Sequence, residues 1–153
     1  MILSLNIKNP PKNPLYMNKK KSKYIVDEYY SDIYQVKLVV ANKHCSIEQL
    51  RKRYIEPNNV ELEDDILVGL ATTTKCYDKK TGEFCILVKY NHDPRVKTID
   101  KKLDFINTCS HEATHVALDI YELIGQNICF CTPEPFCYLQ GWATQCIYKT
   151  LTK

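Results

Sequence analysis

The sequence predicts an α+β domain, a small and mostly antiparallel sheet covered by helices. Two observations carry this. Short runs of β-branched and aromatic residues recur from Tyr24 to Tyr90, and from about Thr98 the apolar period turns helical. Strands first and helices after is the order that segregates helices to one face of an antiparallel sheet. The 153 residues suit one domain, long enough to bury roughly two-thirds of the unfolded surface without staples.

The elements read in order as follows. Residues 1–26 carry Lys8, Lys12, Lys19, Lys20, Lys21 and Lys23 and no acid, so this segment is +6. The whole chain is +3, which leaves −3 for the body, residues 27–153. Pro10, Pro11 and Pro14 make the segment a poor helix or central strand. It is expected to be an extended basic arm, either a tether to nucleic acid or an acidic neighbour, or a solvated tail. Tyr24–Val26 and Ile33–Ala41 are expected strands. Ser46 followed by Gln49 has the form of a capping box, opening a short helix that stops before Pro57. Ile66–Tyr77 and Phe84–Tyr90 are expected strands joined by a hairpin turn over Asp78–Gly82. Leu103, Ile106, Cys109, Ala113, Val116, Ala117, Ile120 and Ile124 form one helical stripe, with Gly125 placed as a C-terminal cap. A last helix is expected from about Glu134 to Thr150.

The long helix contains His111-Glu112-Ala113-Thr114-His115, an HExxH pattern. Residues four apart on a helix lie one above the other, so two imidazoles there can bind one zinc ion. Glu112, beside the first ligand, can act as general base. With four histidines in the chain, chance produces this pattern in under about 1% of such sequences. Zinc at a catalytic site takes a third protein ligand and keeps an open position. Leu118 and Tyr121 stand where a metzincin needs glycine and histidine, which excludes that class. Asp119 is placed to accept from the second nitrogen of His115, or else is a surface carboxylate. Glu122 is about 10 Å along the helix from His115, too far to share the ion. Glu134 follows at the start of the last helix, which a loop after Gly125 would let fold back toward the metal.

HExxH followed by a glutamate on a downstream helix resembles the gluzincin class of zinc peptidases. His111–His115 with Glu134-Pro135-Phe136-Cys137-Tyr138-Leu139 is similar to small zincin-like proteins encoded in bacteriophage genomes, over residues 98–150. The resemblance implies His111, His115 and Glu134 as Zn2+ ligands, Glu112 as base, and Phe84–Tyr90 as the edge strand receiving an extended peptide substrate. The thermolysin-like context of the third ligand is NExxxD; here Pro133 and Tyr138 replace its Asn and Asp. Tyr138, one turn beyond Glu134, is a candidate for stabilising an oxyanion or else packs between helices.

The eight cysteines are expected to be thiols in a reduced compartment, since no secretory signal is read at the N-terminus. Cys129, Cys131 and Cys137 cluster near Glu134, which leaves open a thiolate ligand in its place or a second metal site. No apolar run approaches about 18 residues, so no membrane span is expected. Two functions follow as expectations. One is a zinc-dependent metallopeptidase, small for its class because a complete gluzincin adds a second subdomain to form the cleft. The other is a virion structural protein, capsid-decorating or head-associated, that keeps the zincin fold and contacts viral proteins through residues 1–26. A nucleic-acid accessory driven by the arm ranks below both. The expected location is the host cytoplasm or the virion.

Overall fold

The computed structural model describes residues 23–92 and 98–153. Most of the basic arm lies outside the described residues.

Five strands form one sheet: β1 (Val26–Tyr30), β2 (Lys37–Ala41), β3 (Tyr54–Ile55), β4 (Ala71–Asp78) and β5 (Phe84–Tyr90). Their spatial order is β1-β2-β5-β4-β3, with only the β2–β5 pair parallel. The α+β expectation therefore holds. A five-residue helix α1 (Ile47–Arg51) and two 3-10 turns lie between β2 and β4, and two long helices, α2 (Ile99–Leu123) and α3 (Glu134–Leu151), complete the chain.

β2 and β5 read as continuous apolar runs because both of their faces are buried. Leu38, Val40, Ile86 and Val88 point to the face that α2 and α3 cover. Val39, Ala41, Cys85 and Leu87 point to the other face, where Ile47, Leu50, Tyr54, Leu62 and Ile66 close over them. Ser46 caps α1 as the capping box predicts: its Oγ accepts from Gln49 N–H at 3.3 Å and its own N–H donates to Gln49 Oε1 at 2.8 Å. Gly82, at φ 72°, turns the β4–β5 hairpin and donates to Asp78 O at 2.7 Å. Gly125, at φ 67°, ends α2.

Three expectations are corrected. The Ile33–Ala41 strand is shortened, because Ser31–Gln35 forms a turn closed by Gln35 N–H to Ser31 O at 2.9 Å, with Gln35 at φ 52°. The expected strand from Ile66 begins only at Ala71, after a 3-10 turn and Gly69 at φ 75°. The α2 stripe is buried as expected at Cys109, Ala113, Val116, Ala117 and Ile120 and is corrected elsewhere: Leu103, Ile106 and Ile124 are exposed, while Phe105, Thr108, Glu112 and Tyr121 are buried.

Candidate metal centre

α2 lies over β4 and β5, and α3 over β2 and β1, so the two helices share one face of the sheet. They run antiparallel. Phe136 packs on Tyr121 with ring centroids 5.3 Å apart, and Tyr148 on Phe105 at 5.5 Å.

His111 and His115 are exposed on the flank of α2, and their Nε2 atoms converge to 3.1 Å. Two nitrogens bound to one tetrahedral zinc at about 2.0–2.1 Å are themselves about 3.3 Å apart. As free imidazoles, one Nε2–H donates to the other Nε2 across this gap; the spacing also suits two ligands on one ion once that proton is displaced. Helical phase sets its surroundings. At about 100° per residue, Glu112 and Asp119 face β4, Ser110 and Tyr121 face α3, and the histidines lie roughly 80–140° round the helix from the α3 side.

Glu112 is buried, and its Oε2 accepts from Thr73 Oγ1 of β4 at 2.6 Å. Further along β4, Lys75 reaches Glu122 at 2.7 Å and Asp119 at 3.6 Å. Glu122 holds the Lys75 ammonium above its usual range, against the opposing effect of burial. Burial pushes the Asp119 carboxyl up, although Lys75 and His115 pull it down.

Glu134 is not brought to the pair. It sits at the end of α3 that packs near Tyr121, about 9 Å along α2 from His115, on the flank the histidines turn away from. The α3 side chain that reaches the motif is Gln140, donating to Ser110 Oγ at 3.0 Å. Tyr138 is also elsewhere. It is 73% exposed and lines a cleft of about 450 Å³ with Ile33, Tyr34 and Trp142, beside the β1–β2 turn. Cys129, Cys131 and Cys137 are exposed free thiols. Among the described residues, no three His, Cys, Asp or Glu side chains come together as a metal-ligand set. The two histidines fit zinc, and the expected third ligand does not join them.

The edge strand is also reassigned. β5 lies between β2 and β4, so it offers no edge. β3 pairs only with Tyr77 and Asp78, which leaves β4 from Ala71 to Cys76 without a strand partner on its outer side among the described residues. This open stretch contains Thr73 and Lys75, the residues that face α2. Nothing in the sequence singled out Thr73, Lys75 or Gln140, since each acts across elements far apart in the chain.

No protein-family model, curated protein or solved structure matches this chain. No helix among the described residues is long and apolar enough to cross a membrane.

Proposed function

We propose that the protein binds zinc through His111 and His115, and that Glu112 serves as the base for hydrolysis of an extended peptide held along β4. The observation that carries the zinc reading is the 3.1 Å approach of the two Nε2 atoms on an exposed helix face. A zinc ion held there supplies Lewis acidity to a carbonyl and its attacking water. Thr73 Oγ1 donates to Glu112 Oε2 and orients the carboxylate, whose other oxygen, Oε1, is left to take a proton. The open stretch of β4 offers backbone N–H and C=O groups to a peptide by strand addition.

The test is metal analysis of the full chain after dialysis against zinc, with peptide cleavage assayed in parallel. His111→Ala and His115→Ala should each lose the metal. Glu112→Gln should keep it and lose about 100-fold or more in cleavage; unchanged turnover would overturn the base assignment.

A second reading is a structural role in a viral particle, with residues 1–26 as anchor. It is favoured by the engagement of Glu112 with Thr73 and by the lack of a third ligand among the described residues. Zinc bound without cleavage, in wild type and Glu112→Gln alike, supports it.

A further inference from the structure

The histidine pair presents two ligands, while zinc at a protein site takes three or four. Among the described residues no other His, Cys, Asp or Glu joins the pair as a third ligand, Cys129, Cys131 and Cys137 included. Glu112 is bonded to Thr73, Asp119 and Glu122 are paired with Lys75, and Glu134 opens α3 at the end packed near Tyr121. Outside the described residues the census is short. Residues 1–22 contain no His, Cys, Asp or Glu, and residues 93–97 contain only Asp93. We propose that the site is completed by a second copy of this chain, His111 and His115 of each copy holding one zinc ion on a twofold axis.

The inference rests on the zinc reading above and not on hydrolysis. A twofold contact presents the same patch twice, so a two-histidine half-site becomes the four-ligand set that a closed tetrahedral site requires. Both rings are exposed and already spaced for one ion. Charge agrees with the symmetry. Asp104, two turns before His111, and Glu122, two turns after His115, put carboxylates on this flank in each copy, with Lys75 paired to Glu122. Two such flanks repel, and a divalent cation between them cancels that repulsion. Leu118, two turns from His111 on the same flank and 41% exposed, gives the contact an apolar neighbour. A four-histidine ion has no open position for water, so the hydrolysis proposed above would belong to a chain that holds its zinc alone.

Sedimentation velocity of the full chain, in EDTA and then with half an equivalent of ZnCl2, tests this when combined with metal analysis of the sedimenting species. The expected result is a monomer of 17.9 kDa in EDTA, a doubling of mass with zinc, and one zinc per two chains. His111→Ala and His115→Ala should stay monomeric with zinc, and Glu134→Ala should dimerise as wild type does. Circular dichroism checks that each variant remains folded. One zinc per monomer without a change in mass would overturn the bridge and leave the zinc reading standing. A dimer in EDTA, or in His111→Ala, would also overturn the bridge. Failure of the wild-type chain to retain zinc in any form would overturn both.

Discussion

Lys37 and Asp78 are almost sealed from solvent and meet at 3.2 Å, with Glu83 on the same ammonium at 2.6 Å and Arg53 on the same carboxylate at 3.1 Å. Burial alone would raise the Asp78 carboxyl, but Lys80 N–H, Arg53 and Lys37 outweigh it and hold it below the usual range. A carboxyl depressed in the folded state contributes stability above its unfolded value of about 3.9 and loses it as pH falls further. Urea denaturation should therefore show stability falling below about pH 4, with a shallower fall in Asp78→Asn. Asp78→Ala should cost about 1–3 kcal/mol, because Lys37 and Arg53 each lose one carboxylate and keep Glu83 and Glu28 as partners. Thiols divide by the same logic. Cys76 and Cys85 lie side by side in the sheet, Sγ to Sγ 3.3 Å, and are fully buried; the Cys85 thiol and burial push the Cys76 thiol up. Peptide mapping after brief iodoacetamide treatment should find Cys129, Cys131 and Cys137 modified and this pair untouched.

At the scale of elements, α2 is joined to β4 by one hydrogen bond to a buried carboxylate. Thr73→Val keeps the shape of the side chain but leaves Glu112 Oε2 without its donor, which should cost about 2 kcal/mol in thermal or urea denaturation. The helix packs closely on the sheet through Ala113 and Ala117, both fully buried. Ala113→Leu should cost about 1–3 kcal/mol, since the added atoms have no space at that interface. The pieces legible in the sequence were those whose signal is local. The Ser46–Gln49 capping box, the Gly82 hairpin and the Gly125 helix end all use contacts within five residues. The α2 stripe is legible in period and, at Cys109, Ala113, Val116, Ala117 and Ile120, in phase as well. Leu103 and Ile106 are expected in the core and are exposed, while Glu112 is buried against Thr73 of β4, a placement that apolar period alone does not signal.

For the molecule as a whole, zinc binding should stabilise the fold by mass action. An ion at 100 times its dissociation constant adds about 2.7 kcal/mol, which for a chain of this length raises Tm by about 5–10 °C. The shift should vanish in the His111→Ala, His115→Ala double variant, and should shrink as pH is lowered because protons compete for the imidazoles. No shift in the wild-type chain would count against the metal centre.

The sequence by itself determined that this is an α+β chain with an HExxH pair on a long helix. Both features are periodicities written into neighbouring residues, and a helix brings i and i+4 together wherever it packs. The central place of β5 and the edge place of β4, the tie of Glu112 to Thr73, and the separation of Glu134 from the histidines emerge when the elements pack together. Those outcomes depend on how far α2 is rotated against the sheet and on which of its flanks α3 occupies. That rotation is set by the sum of apolar contacts over the whole face, which no single motif encodes.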